Sequence, residues 1–170
     1  VNILDLFFFL AFIKHLAYQL AQASLVDDPA AGLEKLVPWE HGALLPVWVE
    51  LRRLAVFIGD GQHTGSAALL IQFIYKDLAE WKMEKFWDAL HSLLTGKQTR
   101  LIILLDGLDE VPAAQRQVVV DTVSQFSSLY TQHHYVVTCR PYAYVGQPWK
   151  LQDFHEVTLA PFNEKQIDRF

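Results

Sequence analysis

The chain of 170 residues is long enough to form one domain with a sizeable core. With 52% apolar and 19% charged residues it falls outside the disordered class, and a net charge of −5 with scattered Lys and Arg offers no basic stripe for nucleic acid. Its single cysteine, Cys139, excludes a disulfide framework and points to a reducing, cytoplasmic compartment.

The chain starts at Val1, has its one methionine at Met83 and stops at Phe170 inside a helical pattern, so a fragment truncated at both ends is expected. Residues 6–13, LFFFLAFI, are the greasiest stretch, but Lys14 and His15 interrupt it well short of the ~20 residues of a membrane span. No basic flank precedes it and no small-residue cleavage site directly follows, which argues against a signal peptide and against membrane contact.

Residues 6–24 read as a helix, with Ile13, Leu16, Ala17 and Leu20 at 3.6-residue spacing. Asp27, Asp28 and Pro29 open a loop that continues through Gly32, Pro38 and Gly42. Residues 44–51, LLPVWVEL, predict a buried strand, and Gly59, Gly61 and Gly65 mark a loop. Two helices are expected at 66–80 and 82–94, the second closed by Gly96. The clearest strand is LIILL, 101–105: short, continuous and apolar, as parallel strands covered on both faces are.

Pro112 starts a further helix with Val119, Val123, Phe126 and Tyr130 on one face. Residues 135–141, YVVTCRP, predict a strand stopped by Pro141, and 154–159 a shorter one. Asn163 and Gln166 form a capping-box pattern for a last helix over 163–170. Strands alternating with helices, without hairpin turns, predict an α/β fold: a parallel sheet with helices on both faces. There is no internal repeat.

The chemistry concentrates where strands end, and in open parallel sheets ligands bind beyond those carboxyl ends. LIILL runs directly into Asp106, Asp109 and Glu110, although a carboxylate buried unpaired costs several kcal/mol or shifts its pKa. Thr138 and Arg140 end the following strand, so acids and a guanidinium arrive at one edge. Such acids are tolerable if they hold a hydrated Mg²⁺ and orient a water while the arginine meets phosphate charge. Gly107 allows a tight turn directly after Asp106.

LLDGLDE closely resembles the Walker B segment of NACHT domains, a branch of the signal-transducing P-loop ATPases. TCRPYAY, 138–144, is similar to their sensor-1 segment, VTLAPFNEKQIDRF, 157–170, to the strand and helix that follow, and LLPVWVELRRLA, 44–55, to their second strand. The resemblance covers nearly the whole chain and implies one partial NACHT domain over 1–170, with Walker B at 101–110, sensor 1 at 135–141 and the next helix starting at 163. It implies a three-layer P-loop NTPase fold and an ATP-dependent switch that self-associates with ATP and closes with ADP. Asp106 would bind Mg²⁺ through water, Asp109 or Glu110 would position the attacking water, Arg140 would sense the γ-phosphate, and Thr138 would play a polar role beside it. Implied partners are other copies of the protein and sensor and effector domains outside the fragment, in signalling or defence.

One segment departs from that family. FIKHLAYQLA, 12–21, matches the helix after the phosphate loop, but the loop's own place is taken by ILDLFFFLA, residues 3–11. Phe9 stands where lysine belongs, Leu10 where the magnesium-binding Ser or Thr belongs, and Leu6 and Phe8 replace glycines. The loop works because glycines let successive N–H groups turn onto the phosphates while lysine supplies charge, and three phenylalanines do neither. A wrongly joined or frame-shifted segment, a natural pseudo-ATPase, and a lost loop beside a retained oligomerisation surface all account for it.

A solvated turn whose acids favour the next helix N-terminus, with Arg140 as a structural partner of Asp106, is the plain alternative to a phosphate site. A non-catalytic interaction scaffold is the rival function. A metabolic kinase would also need the missing loop. His133, His134 and Cys139 do not form a zinc set, since strand residues 134 and 139 point to opposite faces. Cys139 lacks a companion motif for a nucleophile and reads as a small buried hydrophobe.

Overall fold

The computed structural model describes residues 3–25, 33, 36, 39–59, 64–97, 100–147 and 149–158, with side chains in the first segment from Phe12 onward. In chain order the elements are α1 (Ile3–Ala23), β1 (Leu45–Glu50), α2 (Leu51–Ile58), α3 (Ala67–Glu80), α4 (Trp87–Thr95), β2 (Leu101–Asp106), α5 (Ala113–Leu129), β3 (His134–Val137) and α6 (Pro141–Tyr144). One-turn 3₁₀ helices at Glu84–Phe86 and Leu108–Glu110 introduce α4 and follow β2.

The strands form a three-stranded parallel sheet in the order β1-β2-β3, so β2 is central and all six of its residues are buried. Its side chains alternate between two apolar clusters. Leu101, Ile103 and Leu105 join Val47 and Val49 under Leu54 and Ile58 of α2, Leu70 and Phe73 of α3, and Val119, Val123 and Phe126 of α5. Ile102 and Leu104 face the other way, onto Ile13, Leu16 and Leu20 of α1. The predicted α/β arrangement, a parallel sheet with helices on both faces, is what these residues build. Among the described residues no helix is long and apolar enough to cross a membrane.

Four local expectations are corrected. The strand predicted over 44–51 ends at Glu50, and Leu51 begins α2, which no loop separates from β1. Leu51, Leu54, Ala55 and Ile58 bury one face at i, i+3, i+4, i+7 spacing, a helical signal that the strand-like LPVWVE overshadowed. The helix read from residue 6 starts at Ile3, so the backbone of 3–11 is α-helical where a phosphate loop would lie. The strand read over 135–141 is His134–Val137, because Thr138 turns its hydrogen bonds toward the end of β2.

Residues 154–158 carry no ladder, although 154–159 predict a strand; Phe154 N–H instead folds back onto Leu151 O at 3.2 Å, and Val157 is 86% exposed. The helices at 66–80 and 82–94 are present as α3 and α4, but α4 begins only at Trp87, after the 3₁₀ turn Glu84–Phe86, and runs one residue further to Thr95, closed by the Gly96 N–H on Ser92 O at 2.9 Å. The helix expected over 163–170, most of the loop after Asp27, and Gly61 lie outside the described residues.

Register sets the edge on which chemistry collects. Val49 pairs with Leu105 and Glu50 with Asp106, while Leu105 pairs with Val137, so all three strands release their chains at one edge. Gly65 packs the loop before α3 directly on α5. A Cβ there would stand 2.5 Å from Asp121 Cβ and 2.6 Å from Val118 O, within a helix backbone that cannot yield. Gly65→Ala is expected to destabilise the fold by about 1–3 kcal/mol, read as a lower Tm by circular dichroism, and an unchanged Tm would show that this loop sits off α5.

Candidate functional site at the strand ends

The centre of the site is Asp106, the last residue of β2, 9% exposed and on the sheet face that α1 covers. Its Oδ1 accepts the Thr138 hydroxyl at 2.6 Å. The same Thr138 oxygen accepts the Gly107 N–H at 2.8 Å, so one hydroxyl serves as donor and acceptor at once. Thr138 is bound through its main chain too: its N–H donates to Leu105 O at 3.0 Å and its carbonyl accepts Leu108 N–H at 2.9 Å. Four bonds thus tie one residue after β3 to the end of β2. Gly107 makes the turn with φ 77° and ψ 52°, the left-handed conformation that glycine enters without steric penalty.

Burial pushes the Asp106 carboxyl above the usual carboxylate range; the Thr138 hydroxyl and the Lys14 ammonium on α1 pull it back, and Asp109 pushes it up again. Lys14 was legible in the sequence only as the residue that ends an apolar run. Its place on α1, the helix covering the Asp106 face, makes it the cation nearest in effect to that acid.

Asp109 lies in the one-turn helix after Gly107, and its side chain is 9% exposed. Arg140 holds both its oxygens: Nε donates to Oδ2 at 3.1 Å and the Arg140 backbone N–H to Oδ1 at 3.2 Å. Arg140 Nη1 also donates to the Tyr142 hydroxyl at 2.9 Å. That bond, then the Asp109 and Glu110 carboxylates, raise the Arg140 pKa against the effect of burial, so the group is a cation at every accessible pH. The plain alternative that paired Arg140 with Asp106 is not what forms: the partner is Asp109, because the turn at Gly107 carries Asp109 across to the end of β3. Glu110 is exposed beside them.

Arg116 is a residue that the motif did not announce. Its Nη2 donates to Val111 O at 2.8 Å and Asp109 O at 3.3 Å, and its guanidinium lies 4.9 Å from the centre of the Trp149 ring. It buttresses the acid turn from α5 and ties it to the segment after α6. An arginine in the first turn of a helix works against the macrodipole, and that mismatch was the available signal.

The remaining candidates lie elsewhere. His133 accepts Leu101 N–H on Nδ1 at 3.2 Å, and its Nε2 faces Leu94 O at 2.8 Å, so both nitrogens join α4 to β2 and neither is offered to a metal. Burial raises the Cys139 thiol to about 12, which leaves almost no thiolate near neutral pH. The sequence placed Asp106, Asp109, Glu110, Thr138 and Arg140 at one edge, and these five do converge; the segment 3–11 brings no loop to meet them.

No family model, curated protein or solved structure matches the chain.

Two substitutions separate the roles of the buried pair. Because the folded pKa of Asp106 is raised, its contribution to stability is present below the unfolded value and lost as pH rises through the folded value. The ionised carboxylate therefore costs stability at neutral pH. Asp106→Asn keeps an acceptor for Thr138 and is expected to raise Tm at pH 7 by about 2–4 °C, the equivalent of roughly 1 kcal/mol, with the gap closing toward about pH 4. Thr138→Val strands a carboxylate oxygen and an N–H together and is expected to cost about 2–4 kcal/mol in urea unfolding, most of it restored by Thr138→Ser.

Proposed function

We propose that the chain is a nucleotide-dependent switch module of the NACHT kind that retains its strand-end acids and arginine and has lost its phosphate loop. The observation that carries this proposal is the burial of Asp106 at the carboxyl end of the central strand, held ionisable by Thr138 although burial opposes its charge. A chain selected for stability alone gains nothing from an acid at that point, whereas functional sites are where perturbed acids concentrate, and strand ends of parallel sheets are where ligands bind. The parallel α/β sheet supports the P-loop NTPase fold that the motifs imply.

Asp106 fits the role of an acid that holds hydrated Mg²⁺ through water, since Thr138 fixes one oxygen and leaves the carboxylate beside the sheet edge. Mg²⁺ held there would supply charge neutralisation to the phosphates of ATP. Asp109 or Glu110 would orient a water, and Arg140 would set positive charge against the terminal phosphate. The phosphate cradle does not fit. Within α1 the N–H groups beyond its first turn are bonded four residues back, so they are not available to an anion, and Phe9 and Leu10 supply neither charge nor hydroxyl.

The chain as it stands is accordingly expected to bind ATP far more weakly than an intact module. The helical backbone of 3–11 favours a second function, a pseudo-NTPase scaffold that self-associates and carries sensor and effector domains without turnover.

The test is Mg²⁺-dependent binding of a fluorescent ATP analogue to folded chain, compared with a restored loop carrying Leu6→Gly, Phe8→Gly, Phe9→Lys, Leu10→Ser and Ala11→Thr. The restored chain should bind at least about tenfold tighter, a gain of roughly 1.4 kcal/mol, and Asp106→Ala should remove most of it. If the restored chain is folded and binds no better, the acids are structural and the scaffold function stands instead.

A further inference from the structure

The contacts of Arg140 suggest how such a site is kept silent. Both oxygens of Asp109 are occupied by Arg140, through Nε at 3.1 Å and the main-chain N–H at 3.2 Å, while Nη1 is held by Tyr142 at 2.9 Å. The acid that would orient a water and the arginine that would meet a phosphate are thus spent on each other. While they are paired, each partner's charge is largely met by the other. Asp109 is 9% exposed in its side chain and Arg140 24%, so solvent does not take up the released charges on both sides equally.

The pair is supported from beneath. Arg116 fixes the carbonyls of Asp109 and Val111, and its guanidinium stacks on Trp149, which is itself 8% exposed. The backbone of the acid turn therefore has a fixed position while the Arg140 side chain has two anchors, Asp109 and Tyr142. Tyr142 is 62% exposed, at the start of the short α6. A competing anion at the strand-end edge faces an arginine already neutralised by one carboxylate, and an incoming polyphosphate gains the full charge of the guanidinium only by displacing that carboxylate.

We propose that the Asp109–Arg140 pair, with Tyr142 as its outer catch, is an autoinhibitory latch that holds the site off until a polyphosphate takes Arg140 from Asp109. The latch rests on the nucleotide-switch function proposed above, and it adds the regulation of that site. Opening it exchanges one carboxylate for a triphosphate on the same guanidinium and frees Asp109 to hold a water. Such an exchange shifts the population toward the open state only by as much as the ligand prefers Arg140 unpaired.

The experiment is a calorimetric titration of the chain, and of its restored-loop form, with inorganic triphosphate in the presence of Mg²⁺. Asp109→Asn should bind at least about tenfold tighter than the parent. The gain should vanish in the double variant Asp109→Asn, Arg140→Gln. Glu50→Gln, which removes an equal charge from the same sheet edge without touching Arg140, should move affinity by clearly less. Tyr142→Phe, a surface change safe for folding, should give a smaller gain in the same direction and decides the matter if Asp109→Asn does not fold.

If Asp109→Asn and Tyr142→Phe bind no tighter than the parent while Arg140→Gln weakens binding, the arginine reaches phosphate without leaving Asp109, and the latch falls while the switch stands. If no form binds triphosphate, including the restored loop, the pair is a structural clasp and both proposals fall.

Discussion

The hydroxyl of Thr138 is the constraint on which the site depends. It joins the end of the central strand to the end of its neighbour by giving a hydrogen bond to Asp106 and taking one from Gly107. Without it a carboxylate at 9% exposure would have lost a principal partner, and the left-handed turn at Gly107 would lack its main-chain anchor. Everything downstream follows from that turn. It lifts Leu108 into the core and swings Asp109 across β3 to meet Arg140. β3 itself stops at Val137, four residues short of the predicted end at Pro141, where Thr138 takes up its four-bond attachment.

Charge at this edge is arranged in two tiers. Asp106 is deep and opposed by burial, relieved by Thr138 and by Lys14 across the α1 face. Asp109, with a side chain as little exposed, is matched ion for ion by Arg140, with Arg116 holding the backbone below. A buried acid whose described side-chain partner is a neutral hydroxyl is costly, whereas one matched by a guanidinium recovers part of that cost. The two neighbouring acids thus bear different burdens because their partners differ, not because their depths do. That asymmetry supports a ligand at Asp106 and a controlled contact at Asp109.

The start of the chain bears on the same site from the other side. α1 covers Ile102 and Leu104 with Ile13, Leu16 and Leu20. Its backbone is helical from Ile3, and a helix presents its N–H groups to its own carbonyls. The sheet edge with its acids and arginine therefore stands opposite a helix that offers no glycine loop.

How much of this was visible beforehand depends on the range of the interactions concerned. β2 and the helical face of α5 were legible because their periodicity is local: LIILL is apolar on both faces, and Val119, Val123 and Phe126 recur at helical spacing. The convergence of Asp106, Asp109, Thr138 and Arg140 on one edge was legible as well, since parallel strands put their carboxyl ends together. α2 was readable in principle from Leu51, Leu54, Ala55 and Ile58, but a strand-like start directly before it hid the change of period. The failure of 154–158 to form a ladder was not readable, because pairing depends on a neighbour's edge and not on β propensity.

By itself the sequence determined the class of fold, the central strand and the set of side chains at its end, all consequences of local pattern and chain order. Which carboxylate Arg140 pairs with, that Arg116 and Lys14 belong to the site, and that Thr138 is its linchpin were decided by the tertiary structure. Apart from the hydrogen bonds of Arg116 to the turn a few residues before it, those are contacts between residues about thirty or more positions apart, or between a helix and the sheet beneath it. Strand register, the φ of Gly107 and the seat of α1 set their distances, and no spacing along the chain encodes them.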